Sequence, residues 1–153
     1  MSGDPLYRKE MLRLAADATG AGSLPAPDGA GTAHNPACGD RVTVAVTLAG
    51  GRVTALAHQT QACVLAQASA ALLAGQAPGK TPEDVAALAD AVGAWLAREG
   101  AAPAGYAVFE GVLTHAGRHT CVLLPLKAAR AALEQAQERG AGAQGQADSV
   151  QPG

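Results

Sequence analysis

A chain of 153 residues is long enough for one ordinary domain whose core needs no disulfide or metal to hold it. Its residues are 48% hydrophobic but only 3% aromatic, and 11 basic against 13 acidic side chains give a formal net charge of −2. That balance, with Lys and Arg scattered, excludes the positive face and stacking platforms of a nucleic-acid binder. No apolar run reaches the length of a membrane span, the N-terminus lacks the apolar segment of a signal peptide, and the three cysteines suit free or ligating thiols in a reducing compartment. The expectation is a cytoplasmic protein with no membrane or nucleic-acid partner.

In chain order, Leu6, Tyr7, Met11, Leu12 and Leu14 recur near helical spacing among charged residues, which predicts an amphipathic helix from Pro5 to Ala18. Residues 19–37 are dominated by Gly, Pro and small side chains and read as a loop leading to the first cysteine. Strict alternation of Val42, Val44, Val46 and Leu48 with Arg41, Thr43, Ala45 and Thr47 predicts a half-buried strand. Ala49-Gly50-Gly51 supplies a hairpin turn, and Arg52 to Gln59 the antiparallel return.

An Ala- and Leu-rich helix follows, with Thr60 as its expected cap, Cys63 in its first turn and Gly75 as its terminator. Thr81-Pro82-Glu83-Asp84 opens another, carried by Val85, Leu88, Val92, Trp95 and Leu96 to about Arg98. Tyr106 to Leu113 is expected as a short strand and Leu126 to Gln137 as a last helix started by Pro125, with Cys121 just ahead of it. Residues 1–138 thus form a single domain, and 139–153, poor in sizeable apolar side chains, a disordered tail.

The chemistry-bearing residues are three thiols and one acid. Cys38 and Asp40 flank Gly39, whose free backbone lets both turn toward one point; taken alone, the tripeptide reads better as an ordinary turn in which Asp40 satisfies nearby amides. Cys63, where the positive end of a helix dipole favours negative charge on sulfur, suits metal binding or nucleophilic attack, yet also reads as a small buried hydrophobe. Cys121 follows Arg118 and has the same two readings. Taken as a set, all three stand at junctions between elements, and with Asp40 they offer the four S and O donors of a tetrahedral shell. Their wide spacing matches no zinc finger, so the fold must assemble the site. For His34, His58, His115 and His119 a solvent-exposed or structural role outweighs ligation.

Three blocks, NPACGD at 35–40, QACVLAQASAALL at 61–73 and RHTCVLLPLKAARAAL at 118–133, resemble the signature blocks of the U-type iron–sulfur cluster assembly scaffold family, which includes IscU, SufU and the N-terminal domain of NifU. The SufU-like branch is nearest, because Arg118 matches a basic position before its third cysteine. The resemblance spans about Leu6 to Leu133 and implies an α+β domain of the SufE/NifU-like kind, with a small antiparallel β-sheet of about three strands packed against several α-helices.

It further implies that Cys38, Asp40, Cys63 and Cys121 ligate the iron of a [2Fe-2S] cluster, or, in a second reading, that the same four residues hold Zn²⁺. Cys121 is then the candidate acceptor of persulfide sulfur from a cysteine desulfurase, and apo iron–sulfur acceptor proteins are the other partners. Three functions follow: a non-enzymatic scaffold that builds and passes on a cluster, a zinc-dependent sulfurtransferase, and a structural zinc-binding interaction module. Two departures stand out. Ala62 and Val64-Leu65 occupy positions where relatives carry Gly and Ser around the cysteine, and Thr120 stands where the IscU branch has histidine.

Overall fold

The computed structural model describes residues 8–36 and 39–150, with the side chains of 141–150 left aside. Helix α1 (Lys9–Asp17) precedes three strands, β1 (Gly29–Asn35), β2 (Asp40–Ala49) and β3 (Arg52–Gln61), followed by α2 (Val64–Gln76), α3 (Pro82–Leu96), two 3₁₀ segments at Tyr106–Thr114 and Ala116–Arg118, and α4 (His119–Val150). The strands form one antiparallel sheet in the order β1-β2-β3. Helices packed on it make the α+β architecture expected from the resemblance. Among the described residues no helix is long and apolar enough to cross a membrane.

The alternation in β2 does what its period requires: Val42, Val44 and Val46 are fully buried. Gly50 and Gly51 turn the hairpin with positive φ at both positions, and β3 pairs from Arg52 opposite Ala49 to Gln61 opposite Arg41, two residues beyond the expected end.

The larger correction is β1, which lies inside the stretch read as a loop. Its register runs from Gly29 opposite Val46 to Asn35 opposite Asp40, and α4 crosses it together with β2. The glycines there serve close approach rather than a turn. A Cβ on Gly31 would stand 2.5 Å from the Ala132 backbone nitrogen, and one on Gly29 would stand 2.1 Å from the Ala132 carbonyl oxygen. Ala128, Ala132 and Ala136 are buried at this seam, so the small residues of the two elements answer one another. Gln135 Oε1 accepts a hydrogen bond from the Ala30 amide at 2.8 Å.

Helix α2 is buried on nearly every side, as its uniform Ala and Leu content requires, and packs against α1, α4 and β3. Because β3 runs to Gln61, the helix starts later than expected: Cys63, not Thr60, is its N-cap, and Gly75 lies within it. Helix α3 has the expected start, a reciprocal capping box in which Thr81 Oγ1 accepts from the Asp84 amide and the Asp84 carboxylate accepts from the Thr81 amide, both at 3.0 Å.

Tyr106–Thr114 is 3₁₀ helix, not strand. Tyr106, Phe109 and Val112 are buried at a spacing of three, the period that puts them on one face of a three-residue turn. Helix α4 begins seven residues before the expected start, with Pro125 inside it rather than at its N-terminus. Cys121, Val122, Leu124 and Leu126 are buried along it, and that packing outweighs the lost hydrogen bond. Its backbone continues to Val150, into the segment read from composition as a disordered tail; Ala and Gln, which recur there, are good helix formers even where they offer little to pack. Helix α1 starts at Lys9, after the extended cap residue Arg8, within its expected range, and buries Met11; residues 5–7 fall outside the described ones.

Candidate metal centre

Three elements end at one place. Asp40 opens β2, and the pairing of Arg41 with Gln61 sets the start of β2 beside the end of β3, from which Cys63 follows two residues later as the cap of α2. Cys121 is the third residue of α4, and α4 packs on α2. The buried Ser69 hydroxyl of α2 donates to the Val122 carbonyl at 2.7 Å, which fixes the first turn of α4 against α2. As a result one carboxylate oxygen of Asp40 and the sulfurs of Cys63 and Cys121 all lie within 4.8 Å of one another.

Cys38, the fourth candidate ligand, lies outside the described residues. It belongs to the β1–β2 connection, where Gly39 adopts a positive φ and donates its amide to the Asn35 carbonyl at 2.9 Å.

The donor atoms of the cluster could hold a cation. Asp40 and Cys63 are half-buried and Cys121 is 4% exposed. Burial first, then the hydrogen bond and charge of Cys63 and the charge of Asp40, push the Cys121 thiol up to about 12. Arg118, one turn before it, donates to the sulfur and pulls the other way. A metal ion that displaced the thiol protons would stabilise the negative charge left on these donors. Two soft sulfurs and one hard oxygen, open to a further thiolate from Cys38, suit iron or zinc; the donor set by itself does not choose between them.

Three of the histidines make structural hydrogen bonds. His58, 4% exposed on β3, donates from Nε2 to the Thr19 carbonyl at 2.9 Å and accepts from the Thr60 hydroxyl at Nδ1, also at 2.9 Å. Burial lowers its pKa and keeps the ring neutral. His119 Nε2 donates to the Val112 carbonyl at 3.0 Å, His115 Nδ1 bonds the Gly111 carbonyl at 3.1 Å, and His34 is exposed on β1. The residue that reading the sequence missed is Ser69. Its only signal was a hydroxyl in the middle of an otherwise apolar helical run.

Residues 6–100 match the family described as NifU-like N terminal domain. Over 63 residues the chain is 35% identical to the iron-sulfur cluster assembly scaffold proteins IscU 1 and IscU 2 of Archaeoglobus fulgidus; the match covers 41% of this chain and 41% of each relative. The chain thus spans about two fifths of the length of the curated relatives it matches. Among solved structures, a nitrogen-fixing NifU-like protein (N-terminal) from Brucella abortus superposes with a TM-score of 0.83 at 34% identity, over 90% of this chain and 99% of that one. A protein from Fervidobacterium islandicum, described as an assembly scaffold for the SUF system, has the same fold at 20% identity, with a TM-score of 0.78 over 86% of this chain and 98% of that one. By sequence and by fold, the chain belongs to the NifU-like N-terminal domain family, the U-type scaffold family that its three cysteine blocks resemble.

Proposed function

We propose that the protein is an iron–sulfur cluster assembly scaffold: it takes iron and sulfur at Cys38, Asp40, Cys63 and Cys121 and passes the cluster to apo-acceptor proteins, with a cysteine desulfurase as its sulfur source. The observation that supports this reading is the convergence of Asp40, Cys63 and Cys121 within 4.8 Å from three separate elements. Thiolates of Cys63 and Cys121, joined by Cys38, hold the soft metal, while Asp40 supplies a harder oxygen that binds iron less tightly and exchanges sooner. A carrier must release what it holds, so one weaker ligand is an advantage.

The test is anaerobic incubation of the full chain with iron, cysteine and a desulfurase, followed by the visible spectrum and transfer to an apo-acceptor. Asp40→Ala is expected to slow transfer, and replacing any one of the three cysteines to prevent stable assembly. Transfer at an unchanged rate in the aspartate variant removes the role assigned to it.

A second reading is supported by Arg118, which donates to the Cys121 sulfur. Arg118 opposes the burial that raises the Cys121 thiol, and zinc on the same ligands would complete the deprotonation that a persulfide acceptor requires. Stoichiometric zinc that resists exchange, with no charge-transfer band after the same incubation, selects this reading over the scaffold.

A further inference from the structure

Cys63 and Cys121 carry a chemistry of their own when no ion is bound. Their sulfurs lie within 4.8 Å of one another, and both are free thiols. They differ in access. Cys63 is half-buried, whereas Cys121 keeps 4% of its surface. As N-cap of α2, Cys63 makes no side-chain hydrogen bond to the backbone of that helix, so no such bond fixes its sulfur. The turn that bears Cys121 is held by Ser69 on the Val122 carbonyl, and its sulfur by Arg118. Exchange with an external disulfide needs an in-line approach to the reagent, so the more accessible sulfur of Cys63 meets it before the buried sulfur of Cys121.

We propose that Cys63 is a modification site for thiol–disulfide exchange with low-molecular-weight disulfides, and that Cys121 resolves the adduct into a Cys63–Cys121 disulfide. In the first step the Cys63 thiolate attacks one sulfur of the reagent. A Cys63–sulfur bond forms, the reagent's S–S bond breaks, and one thiolate leaves and takes up a proton. In the second the Cys121 thiolate attacks the Cys63 sulfur, and the remaining half of the reagent leaves in the same way. Overall the two thiols give up two electrons and two protons, and the reagent departs as two thiols. The product withdraws both described sulfur donors from the centre, so the oxidised chain binds no metal there until a dithiol reduces it. The step goes beyond cluster assembly and uses only the metal-free thiols.

The experiment takes the full chain, stripped of metal by a chelator and kept free of oxygen, and adds oxidised glutathione. Intact mass and peptide mapping follow the reaction, and far-UV circular dichroism checks that each variant is folded. The wild type is expected to lose two hydrogens, retain no glutathione and map as Cys63 joined to Cys121. Cys121→Ser should stop with one glutathione on Cys63, and Cys63→Ser should add none at Cys121 over the same time. Cys121→Ala repeats the trapping should a serine hydroxyl disturb the core. A disulfide that maps to Cys38 overturns the proposal, as does glutathione on Cys121 of Cys63→Ser at the wild-type rate.

Discussion

At the β1 edge of the sheet the strand's main chain lies against α4 with almost no side chain between them, whereas at the β3 edge the same task falls to one buried imidazole. Gly29 and Gly31 close the first edge by what they lack, bringing Ala132 to contact distance. His58 closes the second by hydrogen bonds: its amide donates to the Gly20 carbonyl, its carbonyl accepts from the Gly22 amide, and its ring reaches Thr19 and Thr60. A steric seam tolerates no added atom and is indifferent to pH. A polar seam depends on protonation. The metal centre, drawn from the first residue of β2, the cap of α2 and the first turn of α4, inherits its geometry from both.

The most severe break is at the steric edge. Gly31→Ala puts a methyl 2.5 Å from the Ala132 nitrogen and 2.6 Å from the Ala131 Cβ, and is expected to cost about 3 kcal/mol in chemical denaturation, since the nearest atoms include backbone that cannot turn aside. Glycine to alanine inside a strand ordinarily raises stability, so the sign alone separates a seam from an ordinary strand.

At the polar edge His58→Leu strands the Thr19 carbonyl and is expected to cost about 2 kcal/mol. The wild type should also show a pH dependence that this variant lacks. The native ring titrates below its ordinary 6.5 because burial penalises the charge, so the unfolded chain binds the proton more readily. Stability from the neutral ring is therefore complete above 6.5 and is lost as pH falls from there toward the lowered native value. Denaturation curves of both proteins at neutral and mildly acidic pH, subtracted one from the other, isolate this difference; equal curves would leave the β3 edge as insensitive as the β1 edge.

The smallest effect is the control. Gly75 sits within α2, and a Cβ there meets nothing within 4 Å. Gly75→Ala is expected to raise stability by about 0.8 kcal/mol, opposite in sign to the same change at Gly31.

What could be read in advance follows the same division. The valines of β2, the Thr81–Asp84 box and the Ala- and Leu-rich α2 announce themselves because period, cap and apolar content act locally. Strand β1 stayed hidden because its glycines are explained only by a helix about a hundred residues further on, and local statistics assign glycine to turns. Tyr106–Thr114 was misread because its β-formers obscured a three-residue period. At the centre, Cys63, Cys121 and Asp40 were legible as residue types with donor atoms; their meeting was not legible from spacing and came from the resemblance. Ser69, which bonds the Cys121 turn, speaks only through a partner far away in sequence.

Pro125 bears on that turn as well. A residue at its place in a helix ordinarily gives its amide hydrogen to the carbonyl four positions back, and four positions back is Cys121. Proline has no such hydrogen. The stretch from His119 to Leu124 is therefore one rung short of a full ladder where it joins the arm clamped over β1, like a fingertip joint on a splinted finger. The Cys121 carbonyl therefore has no amide hydrogen to accept at position 125, while the arm beyond the joint packs closely on Gly29 and Gly31.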